Sequence, residues 1–145
     1  MFMLLVCAGE YTYAIHTKYV TEVIPQVKIT KIPQVPDYIL GHINFGGKPI
    51  PVADLSLLIN AQTSRPCMHT RIVLLQPTGV KTPLFGLLAE KVTEAIEINE
   101  TAFAESGVHP ISLSFFGGIS NEKEMAIQQL DVDKLYAFLK LGGTS

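Results

Sequence analysis

Short apolar runs recur along the chain, and glycine, proline or asparagine separates one run from the next. The runs are about four to eight residues long and rich in Val, Ile, Phe and Tyr, which is typical of strands in an all-β sandwich or barrel. The pattern predicts ten strands: Phe2–Ala8, Tyr11–His16, Val20–Ile24, Ile39–Phe45, Pro49–Val52, Arg71–Gln76, Leu84–Ala89, Thr93–Ile98, Phe115–Ile119 and Met125–Leu130.

Two segments have helical spacing of their apolar positions. One is the short segment Leu55–Ile59, and the other is the tail Asp131–Leu141, whose apolar residues fall on one side of a helix. The tail starts with acidic residues and ends with Lys140 followed by glycine, which matches the helix dipole and a glycine stop. The sequence therefore predicts an all-β protein with a short C-terminal helix.

The chain also contains an internal repeat. Residues 13–24 and 85–96 align without gaps and share the motif Val-Thr-Glu-x-Ile. Later in each half an aromatic residue precedes two glycines, and an apolar strand then ends in Asp followed by an aliphatic residue. These landmarks are Phe45-Gly46-Gly47 and Val52-Ala53-Asp54-Leu55 in one half, and Phe116-Gly117-Gly118 and Gln129-Leu130-Asp131-Val132 in the other. Landmarks in the same order indicate a duplication, and two halves this small are expected to share one apolar layer.

Physical chemistry assigns structural roles to these landmarks. Gly46-Gly47 and Gly117-Gly118 are both predicted to form hairpin turns, because tight turns of the primed type need positive φ at their centre. Asp54 and Asp131 each follow a strand and precede an aliphatic helical segment. We expect these two carboxylates to accept hydrogen bonds from the free N–H groups at a helix start.

Composition and charge exclude several classes of protein. The chain is 48% hydrophobic and 17% charged, which indicates a folded domain rather than a disordered one. Its net charge of −2 provides no attraction for nucleic acid or anionic lipid. Cys7 and Cys67 lie far apart and are expected to be free thiols in a reducing cytosol. The apolar N-terminal run lacks the basic residues of a signal segment, so a cytoplasmic protein without membrane insertion is expected.

The sequence contains no recognisable catalytic or cofactor motif, such as a nucleophile elbow, a phosphate loop or a dinucleotide fingerprint. Cys67 and His69 could supply two metal ligands, but a structural zinc site needs four. Glu22 and Glu94 resemble an acid/base pair only because they occupy equivalent positions of the repeat. We therefore expect no enzyme activity, no cofactor and no metal. Many short strands with exposed edges favour protein docking instead.

A longer pattern extends from Tyr19 to Leu58. It consists of Val20-Thr21-Glu22, of the run from Ile32 through Gly41 and Asn44 to Gly47, and of Pro49-Ile50-Pro51-Val52-Ala53-Asp54-Leu55. This pattern resembles the CheW domain family. In the second half the resemblance rests on residues 86–92, 116–119 and 130–135. It implies a single domain over residues 1–145 with two pseudo-symmetric five-stranded SH3-like β-barrels around a common hydrophobic core. The repeat halves would be roughly 11–70 and 83–141, and strand 2–8 is a candidate to complete the second barrel.

The resemblance also implies a function. Such proteins are adaptors that couple methyl-accepting chemoreceptors to a CheA-type histidine kinase, and they join membrane receptor arrays through these partners. One barrel docks on the regulatory domain of the kinase, and the groove between the barrels takes the helical hairpin tip of the receptor. Carried onto this chain, the contact candidates are Val20, Glu22, Gly41, Ile43 and Asn44. For Gly41 and Ile43 ordinary strand and turn packing is nearly as good an interpretation.

The chain departs from the family pattern at one position. Relatives usually read Asn-Leu-Arg-Gly where this chain has Asn44-Phe45-Gly46-Gly47, and their arginine is expected to pair with the glutamate that matches Glu22. Glu22 should therefore be more solvated or pair with Lys18 or Lys48. This departure favours a divergent adaptor in a non-flagellar chemosensory pathway. The alternative function is a stand-alone SH3-like double barrel that oligomerises or senses a ligand.

Overall fold

The computed structural model describes residues 1–60, 65, 67–99, 115–122 and 125–139. These residues form ten strands, two short α-helices and a 3-10 turn at Thr17–Tyr19, which confirms the predicted all-β class with a short C-terminal helix. The strands are β1 Phe2–Ala8, β2 Tyr11–His16, β3 Val20–Pro25, β4 Ile39–Phe45, β5 Lys48–Asp54, β6 Arg71–Leu75, β7 Phe85–Ala89, β8 Lys91–Glu97, β9 Phe116–Glu122 and β10 Met125–Leu130. The helices are α1 Leu55–Asn60 and α2 Val132–Leu139.

Most predicted strand ends lie within two residues of the observed ones. The largest difference is at β9, which runs to Glu122 rather than Ile119. Helix α2 begins one residue after its predicted start, at Val132. The last two residues of the predicted helix, 140 and 141, lie outside the described residues.

The strands form two five-stranded sheets. Sheet A has the order β8-β1-β2-β10-β9, and sheet B has the order β3-β6-β7-β5-β4. The two orders are equivalent, because adding or subtracting five converts each strand number of sheet A into the strand number at the same place in sheet B. For example, β8 corresponds to β3 and β1 to β6. In both sheets the one parallel pairing among the described strands joins equivalent elements, β2 with β10 and β5 with β7. The topology therefore repeats along the chain as the sequence motifs do.

The hairpins at the start of the two repeats are exchanged between the sheets. Hairpin β1–β2 pairs with β8 and β10 of the second repeat, and hairpin β6–β7 pairs with β3 and β5 of the first. The N-terminal strand Phe2–Ala8 lies between β8 and β2. Each sheet therefore needs strands from both repeats, and the two repeats are interlocked.

Alternating side chains on the central strands divide the interior into three layers. Residues on one face of each sheet, together with both helices, form a single common core. The opposite face of each sheet covers a smaller apolar cluster of its own. The common core contains Leu4, Val6, Tyr13, Ile15, Leu55, Val73, Leu75, Phe85, Leu87 and Leu135, among others. The shared hydrophobic layer expected from the sequence is present.

The repeated Val-Thr-Glu motif marks a β-bulge in each sheet. On β3, Val20 pairs with Leu75 and Glu22 with Leu74, so one extra residue is inserted into β3. On β8 the pairing with β1 shifts by one residue directly after Val92 in the same way. A bulge bends the strand and increases its twist. The Val-Thr-Glu motif therefore has the same structural role in both halves.

The double glycine of the second repeat is not a turn, and this prediction was wrong. Gly46 and Gly47 do connect β4 to β5, with φ of +60° and +85°. Gly117-Gly118, by contrast, lies inside β9, where the pairing with β10 shifts by one residue. The same shift occurs in β4 next to Gly41. Glycine is favoured both in tight turns and at bulges, so an aromatic residue followed by two glycines predicts either feature.

Candidate functional site

The five candidate contact residues lie on the two end strands of sheet B. Val20 and Glu22 belong to β3, whereas Gly41, Ile43 and Asn44 belong to β4. The segment that follows β3 crosses to β4 and pairs with it. Thr30 of this segment and His42 of β4 exchange two backbone hydrogen bonds of 2.8 Å. This crossing brings the segment that follows β3 against β4.

The five residues differ in exposure, so they do not form one continuous surface. Glu22 and Asn44 are exposed, and Val20 is half-buried against the common core. Gly41 is buried, and Ile43 is only 2% exposed in the interior of sheet B. Glu22, Asn44 and Val20 are therefore accessible to a partner, whereas Ile43 packs as a core residue.

Glycine at position 41 is required by the close approach of the crossing segment. A Cβ on Gly41 would lie 2.0 Å from the carbonyl oxygen of Thr30 and 2.9 Å from Cγ2 of Ile29. Its φ of +147° is also in the range that favours glycine. Gly41 thus permits the pairing of Thr30 with His42.

The side chain of Asn44 stabilises the β4–β5 turn. The backbone N–H of Gly47 donates to Oδ1 of Asn44 at 3.0 Å. Both central residues of the turn have positive φ, as a type I′ turn requires. A Cβ on Gly46 would meet nothing within 4 Å, so only the backbone conformation favours glycine there.

Glu22 is exposed on β3. Lys18 makes other contacts, because its ammonium group lies 5.0 Å from the centre of the Tyr19 ring. A charge at this distance over an aromatic face is attracted by the ring quadrupole.

Asp54 and Asp131 accept hydrogen bonds at the start of the two helices. Oδ1 of Asp54 accepts from the Ser56 N–H at 3.0 Å, and Oδ1 of Asp131 accepts from the Lys134 N–H at 3.0 Å. The backbone N–H of each aspartate donates to a carbonyl just before β4 or β9, at 2.8 Å in both cases. These hydrogen bonds fix each helix to the strand pair beside it.

Two further carboxylates connect the repeats, and the sequence did not single them out. Oε1 of Glu90 accepts from the Gly9 N–H and from the Ser56 hydroxyl, both at 2.9 Å. Partial burial raises the pKa of Glu90, but these hydrogen bonds and the nearby Arg65 outweigh it and lower the pKa overall. Glu90 therefore joins the β1–β2 turn to α1.

Asp133 plays the equivalent part at the other helix. Its oxygens accept from the Thr78 N–H at 2.7 Å, the Thr78 hydroxyl at 2.6 Å and the Tyr19 hydroxyl at 3.2 Å. Partial burial raises the pKa of Asp133, but the Thr78 and Tyr19 hydrogen bonds and the charge of Lys18 lower it overall.

The alignment of the repeats contains a signal for this pair of carboxylates. Glu90 aligns with Lys18, and Ser56 aligns with Asp133. One carboxylate, Glu90, thus lies between two strands, whereas the other, Asp133, lies in helix α2.

The loop that carries Cys67 gives that thiol an unusual environment. Its sulfur accepts from the His69 N–H at 3.4 Å and from the Thr70 hydroxyl at 3.7 Å, and these hydrogen bonds lower the pKa of Cys67. No group of three or more potential metal ligands occurs among the described residues. In the same part of the chain, no helix is long and apolar enough to cross a membrane.

Comparison with known proteins identifies the family. The model of the CheW-like domain matches residues 2–139. The chemotaxis protein CheW of Helicobacter pylori is 27% identical over 93 residues, which cover 64% of this chain and 54% of that protein. The CheW of Rhizobium meliloti is 26% identical over 92 residues, which cover 63% and 57%. The aligned part therefore spans little more than half the length of these relatives.

A solved structure agrees in fold as well as in sequence. The crystal structure of the scaffolding protein TtCheW from Thermoanaerobacter tengcongensis superposes with a TM-score of 0.83 and 29% identity. The match covers 93% of this chain and 86% of that one. With a family model that matches residues 2–139 and a fold of two interlocked five-stranded sheets, the chain belongs to the CheW-like domain family.

Proposed function

We propose that this protein is a non-catalytic, cytoplasmic adaptor that couples chemoreceptors to a CheA-type histidine kinase in bacterial chemosensory signalling. The observation that carries the proposal is the family match over residues 2–139. It is supported by the likeness to a protein described as a scaffold, at a TM-score of 0.83. The adaptor would reach the membrane only through its receptors.

The five candidates differ in exposure, which supports two different roles for them. Glu22 and Asn44 are exposed and Val20 is half-buried, so these three side chains would contact a partner. Gly41 and Ile43 would act indirectly, because they hold the crossing segment and β4 in place.

The interlocked sheets also favour one folding unit over residues 1–145, built from repeat halves of about 11–70 and 83–141. A half expressed alone would lack the hairpin that completes its sheet and should not fold. A cooperative unfolding transition for either isolated half would contradict this.

Two carboxylates of the described residues have shifted pKa values and are used for structure, which favours a scaffold over an enzyme. These carboxylates are Glu90 and Asp133, and both accept hydrogen bonds from their own chain. Structural networks also shift pKa values, so the shifts of Glu90 and Asp133 require no catalytic role.

The test is calorimetric titration of the full chain with two partners from the same genome. The first is the regulatory domain of a CheA-type kinase, and the second is the cytoplasmic tip of a chemoreceptor. We expect saturable binding at micromolar concentrations, weakened at least about fivefold by Glu22→Arg through lost charge complementarity. Glu94→Arg is the matched control, because Glu94 is exposed at the aligned position of the other sheet.

Two results would count against the adaptor. Absence of binding to any such kinase or receptor would favour the stand-alone module, which sedimentation would then reveal as self-association. Equal weakening by Glu22→Arg and Glu94→Arg would show that the contact is not confined to sheet B.

We further propose that the missing family arginine marks an adaptor of a non-flagellar pathway. Gly46→Arg tests part of this proposal, namely whether the arginine affects binding, and its side chain has open space around position 46. The positive φ there should lower stability by about 1–2 kcal/mol without unfolding the protein. If this variant binds both partners with unchanged affinity, the replacement of the family arginine by Gly46 has no effect on binding, and the proposal fails.

A further inference from the structure

A cleft of about 570 Å³ opens beside β4 and β5, and none of the five candidate contact residues lines it. Its walls come from the segment before β4, from β4 and β5 and from the end of α2. Ile32, Val35 and Leu139 supply apolar surface and also pack on the common core. A volume of this size is ordinary for a binding cleft, for which the usual range is about 300–1,000 Å³.

The walls of the cleft offer few backbone donors. Four of the lining residues are Pro33, Pro36, Pro49 and Pro51, and proline has no N–H. On β5 the pairing with β7 covers only residues 52–54, so the two prolines lie where that side of the strand is unpaired. Prolines at such positions prevent strand addition. An occupant must therefore dock through its side chains.

The charge of the cleft selects the chemistry of its occupant. Among the described residues that line the cleft, Lys31 and His42 carry ionisable side chains and none is a carboxylate. The surrounding sequence, residues 25–51, contains three lysines and one aspartate in a chain whose net charge is −2. The described lining of the cleft thus carries positive charge through Lys31 and no negative charge, and it complements an acidic partner.

We propose that this cleft docks an acidic amphipathic helix of a partner protein. The apolar residues of the helix would enter between Ile32, Val35 and Leu139, and its acidic flank would face Lys31 and His42. A helix presents apolar anchors at i, i+3, i+4 and i+7 and needs no backbone donor from the cleft. The backbone hydrogen bonds between Thr30 and His42 fix the wall of the cleft that contains Lys31 and His42, so little ordering is required on binding. This docking surface is additional to the receptor and kinase contacts proposed above.

The probe is a pair of synthetic helical peptides with leucines on one face. One peptide carries glutamates beside that face, and the other carries lysines in their place. Titrated into the ¹⁵N-labelled full chain, the glutamate peptide should give saturable shifts at Ile32, Val35 and Leu139. The lysine peptide should bind at least about fivefold more weakly, because it replaces an exposed ion pair with a like-charge contact. A peptide of the same composition with its leucines scattered around the helix should show no saturation.

Lys31→Glu should weaken the glutamate peptide at least about fivefold. Lys91→Glu should leave it unchanged, because Lys91 is an exposed lysine of sheet A. Equal affinity of the two helical peptides, equal affinity of the scattered peptide, or shifts located elsewhere would each overturn the proposal. Lys31→Glu should also retain kinase and receptor binding, and a parallel loss would show that the cleft is no separate site. Failure of the peptides with intact kinase and receptor binding would refute this inference and leave the adaptor function standing.

Discussion

Replacing Gly41 by alanine should destabilise this protein far more than an added methyl group normally does. The new Cβ would lie 2.0 Å from the Thr30 carbonyl oxygen and 2.7 Å from the Thr30 carbonyl carbon. Both atoms belong to the backbone, so no side-chain rotation relieves the overlap. The segment that contains Thr30 must therefore move away from β4.

The size of the effect follows from what this movement breaks. The two hydrogen bonds between Thr30 and His42 would be lost, at about 0.5–1.5 kcal/mol each. The positive φ of Gly41 adds about 1–3 kcal/mol for a residue with a Cβ. We expect Gly41→Ala to lower the free energy of unfolding by about 3–5 kcal/mol, a large part of the 5–15 kcal/mol typical of folded proteins.

Urea denaturation followed by far-UV circular dichroism measures this change. A loss of this size should lower the urea midpoint by about 2 M for an ordinary dependence on denaturant. Gly46→Ala is the matched control, because its φ is also positive but its Cβ would meet nothing within 4 Å. The control should lose only about 1–2 kcal/mol, the cost of the backbone conformation alone.

Hydrogen exchange locates the damage. The Thr30 and His42 amides should exchange faster in Gly41→Ala, and the amides of sheet A should not. If Gly41→Ala loses no more stability than Gly46→Ala, the contact with Thr30 is not the reason for glycine, and the reasoning is refuted.

Three further predictions concern other parts of the structure. Gly86→Ala should cost about 1–3 kcal/mol in urea unfolding, because its Cβ would lie 2.8 Å from Cγ2 of Ile72 in a filled core; an unchanged midpoint would mean that Ile72 has room to move. Asp133→Asn should cost stability at pH 6, and the difference from wild type should shrink as the pH falls below 3.8, because a lowered folded pKa gives stability that is lost on protonation. A difference that grows with acid would contradict this sign. Single-thiol variants should show that Cys67 reacts with a disulfide reagent faster than the half-buried Cys7, with a rate midpoint below the usual pKa of 9.0; a midpoint above 9.0 would disprove the role of the hydrogen bonds to its sulfur.

The sequence by itself was enough to predict the secondary structure and the duplication. Strand positions followed from apolar runs because alternating burial leaves a local pattern in each segment. The helix starts at Asp54 and Asp131 could be predicted for the same reason, since a capping carboxylate and its N–H partner are near neighbours in the chain. The family resemblance added the proposed function and the candidate residues on β3 and β4.

Only the tertiary structure decided which segments meet. The exchange of hairpins between the sheets depends on pairings such as β2 with β10, whose residues are more than a hundred positions apart and leave no local signal. Gly41 likewise needs glycine because of Thr30, in the segment that pairs with β4, and Asp133 accepts its hydrogen bonds from the distant Thr78. Gly117-Gly118 shows the limit most directly, because a turn and a bulge both favour glycine and only the partner strand distinguishes them. Local chemistry therefore determined the elements, and long-range packing determined their arrangement and the surfaces available for docking.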